Sequence, residues 1–311
     1  MRISKSFRSA AFLAAATTIL ISSGAQASVV LSDQILLGGS PNYTADTNLF
    51  PQNPTSGTGW SGGWTGNNAS SIKVKTENLS MPGLENGGGS IGITAISANE
   101  TRKDNRSFTP AVGQGTLWFS SLFRPDIIQP DSQTMIGFQS DAIASGAPWV
   151  DASLQGFAWG TMNGNNLTVQ YQTNAANSAT AGALSTSASA MSLTAGVTYL
   201  LVGKLDINSS GADTLSIWIT TSVPGSEVLL GAANISINSD ILNTSADLDV
   251  VNLWLSRGAT GNSNAATMDA LRIGTTFADI APVPEPKTLA LFAAGGLVFL
   301  AARLRRKENC S

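Results

Sequence analysis

Asp247 and Asp249, separated by one residue, are the closest pair of carboxylates in the chain. Together with the nearby Asn243, they offer the carboxylate and amide oxygens that Ca²⁺ prefers as ligands. A solvated loop ahead of a strand explains the same three residues without a metal. Ca²⁺ is therefore a weak candidate ligand of Asp247 and Asp249, and no other cofactor is expected.

Histidine is absent from all 311 residues. This absence excludes Ser-His-Asp and Cys-His catalytic arrangements and removes the commonest zinc ligand. The glutamates between residues 28 and 281 form no compact Glu-x-Asp-x-x-Glu strand motif, although catalytic carboxylates can also be distant in sequence. We therefore expect a noncatalytic protein with no catalytic residue. The alternative is a carbohydrate-active hydrolase or lyase.

Three tryptophans stand at alternating positions of segments that are otherwise aliphatic and polar: Trp118, Trp218 and Trp254. The pattern is clear around Trp218 and Trp254 and weaker around Trp118. Since successive side chains of a strand point to opposite faces, each tryptophan would lie opposite the aliphatic core. The three are therefore candidates for glycan contact, as one aromatic platform on a concave sheet. The alternatives are that loops cover this face, or that the indoles fill the core of a strongly curved sheet.

Short apolar segments separated by Gly, Ser, Thr and Asn dominate the chain between its two ends. They predict eleven strands: 29–37, 71–76, 90–96, 117–123, 134–139, 154–159, 167–171, 197–206, 214–220, 248–256 and 267–273. Many short strands at this spacing indicate an all-β sandwich or barrel. Asn163-Gly164 predicts a tight hairpin, and residues 208–213 predict a longer loop between two strands. The low-complexity tract 178–192 is expected to form a surface loop or a short helix, and the charged run 102–106 a soluble turn.

Charge and cysteine content bound the class of the central region. Residues 28–281 contain nine Lys and Arg against 18 Asp and Glu, a net charge of −9. This acidic balance argues against nucleic-acid and anionic-membrane partners. The single cysteine, Cys310, lies outside this region, so the region must be stable without disulfides.

The N-terminus has the pattern of a secretory signal peptide. Basic residues precede an apolar stretch over 10–21, and Ala25 and Ala27 supply the small residues that signal peptidase reads. We predict cleavage after Ala27, so that residues 1–27 are absent from the exported protein.

The C-terminus combines a rigid motif, an apolar segment and a basic end. Pro284 and Pro286 hold the backbone extended and keep the motif out of the following helix. Residues 288–302 are uncharged and give about 22 Å as a helix, and snorkelling of the flanking basic side chains extends this reach. The basic membrane stop consists of Arg303, Arg305, Arg306 and Lys307. By the positive-inside rule, this end stays cytoplasmic, and a membrane helix over about 288–304 is expected. The alternative is a buried C-terminal helix of a globular domain.

This tail resembles the PEP-CTERM sorting domain of bacterial exported proteins. The resemblance rests on Val283-Pro284-Glu285-Pro286, the apolar helix and the Arg-rich end, with Lys287 where the family usually has a small residue. It implies that an exosortase recognises Pro284, Glu285 and Pro286 and cuts near them. The protein would be exported, anchored transiently in the inner membrane, and then released or transferred to the cell surface or extracellular matrix.

A second resemblance is to concanavalin A-like and laminin-G-like jelly rolls. It rests on four segments, 59–64, 198–206, 213–218 and 268–279. It implies an antiparallel two-sheet jelly-roll sandwich over residues 28–281 and a role in adhesion or polysaccharide contact. The expected partners are thus signal peptidase, exosortase and an extracellular polysaccharide. Residues 282–311 form the sorting segment, and no nucleic acid is involved.

Overall fold

The computed structural model describes the central region of the chain. The described residues are 29–33, 42–54, 57–66, 71–84, 88–94, 101–112, 115–130, 132–140, 156–162, 164–172, 184–208, 211–242, 248–257 and 265–281. The predicted signal peptide, the sorting motif, the membrane stop and Asp247 lie outside them. Within the described ranges, no helix is long and apolar enough to cross a membrane.

The described elements are fifteen strands, one 3₁₀ helix and one short α-helix. The strands are β1 (Val29–Asp33), β2 (Thr65–Gly66), β3 (Ile72–Lys75), β4 (Ser90–Ile93), β5 (Thr101–Val112), β6 (Gly115–Ile127), β7 (Ser132–Gln139), β8 (Gly156–Met162), β9 (Asn166–Gln172), β10 (Leu184–Ser192), β11 (Tyr199–Ile207), β12 (Asp213–Thr220), β13 (Ile235–Ser239), β14 (Leu248–Arg257) and β15 (Ala265–Gly274). The 3₁₀ helix is Glu227–Leu230, and α1 is Phe277–Ile280.

The strands form two antiparallel sheets that pack as a sandwich. The first sheet has the order β13-β12-β11-β6-β15-β4-β3, with β1 also paired to β15. The second sheet has the order β10-β9-β8-β7-β14-β5-β2. Every one of these pairings is antiparallel. The predicted all-β, two-sheet class is therefore confirmed.

All eleven predicted strands coincide with observed ones, and four strands were missed. The missed strands are β2, β5, β10 and β13. Strands β8 and β9, which flank the hairpin predicted at Asn163-Gly164, pair directly, and Asn163 itself lies outside the described residues. The tract 178–192 was predicted as a loop or helix, but its second half forms β10 and pairs with β9. Small and polar residues are sufficient for an edge strand at this position, because the strand is held by backbone hydrogen bonds to its neighbour and does not require large side chains.

Aromatic side chains fill the space between the sheets. Phe119 of the first sheet lies 4.7 Å from Trp159, 5.2 Å from Phe138 and 5.3 Å from Phe157, measured between ring centroids. All four are fully buried. Gly203, beside Phe119 on β11, makes this possible, because a Cβ atom on Gly203 would lie 1.9 Å from Cζ of Phe119. The absence of a side chain at position 203 thus determines where the central ring lies.

A second apolar cluster covers the outer side of the first sheet. Trp118 and Val202 lie in it with Phe277 and Ile280 of α1, and Leu79 of the 77–84 loop adds to it. Trp118 and Trp218 therefore oppose the inter-sheet core, as their alternation predicts. Trp118 is covered by other parts of the chain, whereas Trp218 is half-buried.

Candidate functional site

The side of the second sheet that faces away from the core carries a row of polar residues. Pairing registers place Asn105, Asn252, Gly137, Ala158 and Gln170 directly beside one another on five successive strands. The neighbouring row holds Lys103, Trp254, Met135, Gly160 and Thr168. We call the side defined by these two rows, together with Gln139, the polar face.

The polar face exists because β14 and β7 alternate strictly. Val251 and Leu253 point into the inter-sheet core, so Asn252 and Trp254 between them must point outward. At the centre of the face, Gly137 and Ala158 replace large side chains. The amides of Asn252 and Gln170 stand on either side of this small-residue floor, three strand spacings or about 14 Å apart.

Hydrogen bonds fix the side chains of the polar face only in part. Asn252 Nδ2 donates to Gln139 Oε1 at 2.6 Å, and Thr65 Oγ1 donates to Asn105 Oδ1 at 2.5 Å. Gln170 Nε2 donates to the sulfur of Met162 at 3.0 Å. Within the described part of the chain, Asn252 Oδ1 and Gln170 Oε1 are buried and accept no hydrogen bond. Asn252 and Gln170 are only 1% and 4% exposed. Buried amide oxygens are usually satisfied by protein or by water, so both oxygens retain an unused capacity to accept a hydrogen bond.

The three predicted tryptophans do not share one surface. Trp118 and Trp218 lie on β6 and β12 of the first sheet, and Trp254 lies on β14 of the second. The two sheets turn these side chains to opposite sides of the sandwich, so the single aromatic platform is wrong. Trp254, which is 8% exposed, is the one that lies on the polar face, and its contact with glycan stays a prediction.

The charged run 102–106 was predicted as a soluble turn and instead forms part of β5. Lys103, Asp104, Asn105 and Arg106 are all buried. Lys103 and Asn105 belong to the polar face, whereas Asp104 and Arg106 pair with the inward-facing Leu253 and Val251. The prediction failed because the inward side of this strand carries charged residues where sandwich strands normally carry aliphatic ones.

Arg106 is held by the loop that precedes β2. Its guanidinium donates to Pro54 O at 2.6 Å, to Gly62 O at 2.9 Å and to Tyr43 Oη at 3.1 Å. It also lies 4.4 Å from the ring centroid of Trp60. This arrangement satisfies a buried cation and attaches residues 42–54 and 57–64 to the second sheet.

Burial sets the charge state of Asp104. Desolvation raises the pKa of its carboxyl to about 8, and a backbone hydrogen bond from Phe50 offsets part of the rise. Asp104 is therefore largely protonated at neutral pH. The site is too crowded for a side chain at Gly66, whose Cβ would lie 2.0 Å from Asp104 Oδ1.

The predicted Ca²⁺ ligands are not brought together within the described residues. Asp249 is half-buried at the start of β14, and Asp247 lies outside the described ranges. No group of three or more Asp, Glu, Cys or His that could hold a metal ion occurs among the described residues. Ca²⁺ binding by Asp247 and Asp249 therefore stays a prediction.

Comparison with known proteins identifies the C-terminal segment. Residues 282–307 match the PEP-CTERM protein-sorting motif. The match begins directly after Ala281, the last described residue of the sandwich, and includes Pro284, Glu285 and Pro286. The PEP-CTERM motif indicates export and sorting toward the cell surface, with an exosortase as the processing partner. No curated protein matches the chain in sequence.

Solved structures with a similar backbone fold have low sequence identity to the chain. An endo-β-1,4-glucuronan lyase from the fungus Trichoderma reesei has a TM-score of 0.48 and 15% identity, covering 70% of this chain and 97% of the lyase. A carbohydrate esterase from the Shiga toxin-encoding bacteriophage phi24B gives 0.43 and 13%, covering 80% and 99%. A glycosyl hydrolase family protein from Mycobacterium fortuitum gives 0.41 and 11%, covering 79% and 99%. Similarity at this level carries no information on activity.

Sequence reasoning found Trp254 but missed the amides around it. The signal for Asn252 was present, because it alternates with Val251 and Leu253. Asn105, Gln139 and Gln170 had no such signal, since their relation to Asn252 depends on the pairing order of five strands. That order follows from the whole sandwich, and short-range patterns do not contain it.

Proposed function

We propose that the protein is a noncatalytic surface or extracellular-matrix protein, which an exosortase processes at Pro284–Pro286 and which contacts polysaccharide through the polar face. We also propose that the strands of the sandwich are connected as in a jelly roll. After cleavage near the motif, the exported domain is retained at the cell surface or in the matrix. The exported protein begins after Ala27, and Arg303, Arg305, Arg306 and Lys307 hold the C-terminus in the cytoplasm until processing.

The observation that carries the proposal is the composition of the polar face. An indole, an ammonium group and several amides surround a floor of small residues. Amides hydrogen-bond sugar hydroxyl groups as both donors and acceptors, and an indole stacks on the apolar side of a sugar ring. Asn252 Oδ1 and Gln170 Oε1 are buried and have no hydrogen-bond donor in the described structure. Each would accept a hydrogen bond from a sugar hydroxyl group.

The same composition favours binding over hydrolysis. Glycoside hydrolysis generally uses a pair of carboxylates about 5 to 10 Å apart. The residues that define the polar face are neutral except for Lys103. The inward-facing Asp104 points away from this face and into the sandwich.

Access to the polar face is the main requirement of the proposal. Trp254 and its neighbours are nearly inaccessible, so a glycan must displace the groups that bury them. The experiment is a calorimetric titration of the full-length protein with a panel of bacterial exopolysaccharide fragments. We expect one fragment class to bind, and Asn252→Ala to weaken that binding about tenfold through the loss of one or two buried hydrogen bonds.

The matched control is Trp218→Phe, on the opposite sheet, which should bind as the wild type does. Equal binding by Asn252→Ala, Trp254→Phe and wild type would reject the polar face as the contact surface. Release of reducing ends or unsaturated products from any fragment would instead support the enzymatic alternative.

A separate experiment tests the sorting role. Substitution of Glu285 with Gln, together with Pro286→Ala, should block exosortase processing and leave the full-length form in the membrane fraction. Immunoblotting of membrane and surface fractions measures the change. Normal processing of this variant would contradict the assignment of Pro284, Glu285 and Pro286.

A further inference from the structure

The loop between β12 and β13 exposes two adjacent aliphatic side chains. Val228 is 87% exposed and Leu229 is 70% exposed. Both lie on the 3₁₀ helix Glu227–Leu230, and we call this pair the 228–229 tip. Single exposed apolar residues are common on protein surfaces. Two adjacent aliphatic residues that are both largely exposed form a small apolar patch, which is a candidate for contact with another apolar surface.

The tip is held outward by the structure around it. Trp218 Nε1 donates to Gly231 O at 3.1 Å, and Leu229 N donates to Ser226 O at 3.1 Å. On the other side of the loop, Asn234 Oδ1 accepts a hydrogen bond from Ile219 N at 2.8 Å. Leu230 packs against the second apolar cluster. The loop is thus held near both ends and through Leu230, whereas the side chains of Val228 and Leu229 stay exposed.

The folded domain ends beside this loop. Phe277 of α1 lies 5.3 Å from Trp118, and Trp118 lies 6.0 Å from Trp218, measured between ring centroids. Ala281 packs in the same cluster as Trp118. A continuous line of contacts therefore connects the loop to the point where the chain leaves the domain. The predicted membrane segment begins at residue 288, which extended chain places within about 25 Å of Ala281.

We propose that the 228–229 tip inserts into the lipid interface of the membrane in which the chain is anchored before processing. This inference rests on the anchoring step of the proposed function, and it adds a docked orientation of the domain. A weak contact is sufficient, because a short tether gives an effective concentration of about millimolar or higher. Glu227 pairs with Lys204 at 3.4 Å, and Lys204 also lies 3.6 Å from Asp206. The charge of Glu227 is thus partly compensated, and the contact with lipid is made by the apolar side chains of Val228 and Leu229.

The docked orientation directs the polar face away from the membrane. The tip belongs to the first sheet and the polar face to the second, on the opposite side of the sandwich. The membrane therefore does not block the approach of a polysaccharide to this side of the domain while the domain is still anchored. After cleavage near the motif, the tether is lost and the weak lipid contact no longer holds the domain.

The experiment uses the full chain with Cys310→Ser and Leu229→Cys, labelled with a polarity-sensitive fluorophore. The protein is reconstituted in vesicles of phosphatidylcholine and phosphatidylethanolamine, with and without lipid-borne nitroxide quenchers. The matched control carries the label at Asn165→Cys, an exposed position in the β8–β9 hairpin of the second sheet. Melting temperatures of both labelled proteins verify that they are folded.

We expect blue-shifted emission and strong quenching by lipid nitroxide at position 229, and neither at position 165. Aqueous iodide should quench position 165 several-fold more than position 229. Equal iodide quenching at both positions would overturn the proposal. A blue shift at position 229 that increases with the amount of protein per vesicle and is insensitive to the lipid quencher would also overturn the proposal. It would show that the tip contacts a second copy of the chain.

A second variant separates this inference from the proposed function. Val228→Asp combined with Leu229→Asp should abolish docking, measured as loss of protection of the loop from protease on vesicles. Binding of polysaccharide by the polar face should be unchanged in this variant. Loss of glycan binding with docking intact, as in Asn252→Ala, would instead concern the proposed function alone.

Discussion

The indole rings of Trp118 and Trp218 stack with their centroids 6.0 Å apart and their planes at 17°. Trp118 also meets Phe277 edge-on at 5.3 Å, and Lys204 Nζ lies 5.3 Å from the Trp118 ring. Trp118 is therefore the common support of the C-terminal helix α1 and of the loop that carries the 228–229 tip. Substitution of Trp118 should therefore destabilise both α1 and this loop.

Replacement of Trp118 with Ala should destabilise the domain by about 3–5 kcal/mol, because it removes a buried indole and leaves a cavity. Urea denaturation measures this loss. Limited proteolysis should show faster cutting both near residue 230 and near residue 280. Trp218→Phe is the milder control, since Trp218 is half-exposed. Faster cutting at one region alone would contradict a shared support.

Arg106 should be replaceable by neither lysine nor methionine. Arg106→Lys keeps the charge but loses the planar fork that reaches Pro54, Gly62 and Tyr43, and should cost about 2–4 kcal/mol. Arg106→Met should cost a similar amount, because the buried Pro54 carbonyl, the Gly62 carbonyl and the Tyr43 hydroxyl would each have one donor fewer. Chemical denaturation measures both variants, and Lys73→Ala, at a half-buried position of β3, is the control and should cost less than about 1 kcal/mol. An Arg106→Lys variant with unchanged stability would contradict the role of Arg106 in attaching residues 42–54 and 57–64 to the second sheet.

The strands with alternating aliphatic residues were predictable, because the period-2 pattern reports directly which side faces the core. Leu215, Ile217 and Ile219 of β12 are an example, and all three are buried between the sheets. β5 could not be predicted in the same way. Its inward side carries Asp104 and Arg106, whose burial is made tolerable by a protonated carboxyl and by a loop that is distant in sequence.

The candidate site was predictable only where one strand contained the signal. Trp254 could be placed opposite the core from its neighbours alone. Trp254 is separated from Trp118 and Trp218 because β14 belongs to one sheet and β6 and β12 belong to the other. The local sequence patterns of these strands are alike, so they do not show which sheet each strand joins. The small floor at Gly137 and Ala158 likewise became a feature only when five strands were placed in order.

Asp104 should make stability fall as the pH rises. Its pKa is about 8 in the folded protein against 3.8 as the ordinary value, so between these values the folded state binds more protons than the unfolded state. Unfolding free energy then decreases with increasing pH over this range and becomes level above about 8. Asp104→Asn removes this contribution.

Guanidinium denaturation at about pH 5 and about pH 8.5 tests the effect of Asp104. We expect the wild type to lose stability between the two conditions and Asp104→Asn to lose clearly less. The unfolding free energy of the variant relative to that of the wild type should therefore increase as the pH rises. Parallel pH profiles of the two proteins would show that Asp104 has an ordinary pKa in the folded state.

Arg124 should govern the acid sensitivity of the first sheet. It donates to Glu77 Oε2 at 2.8 Å and to Asp126 Oδ1 at 2.6 Å, and Lys75 lies 3.5 Å from Asp126. The hydrogen bond from Arg124 lowers the pKa of Glu77. Burial would raise the pKa of Asp126, but hydrogen bonds from Thr267 and Arg124 outweigh it and lower that pKa as well.

A carboxyl with a lowered pKa in the folded state stabilises the protein above its ordinary pKa, and this stabilisation is lost as the pH falls through the folded value. The contribution of these two carboxyls to stability should therefore be level above about pH 5 and should decline below the ordinary values of 4.5 for Glu77 and 3.8 for Asp126. Arg124→Gln should lower the stability at neutral pH and flatten this decline. Urea midpoints between about pH 7 and pH 3 measure both effects. Glu227→Gln, which removes an exposed ion pair with Lys204, should leave the profile unchanged, and an unaltered profile in Arg124→Gln would rule out the cluster as its source.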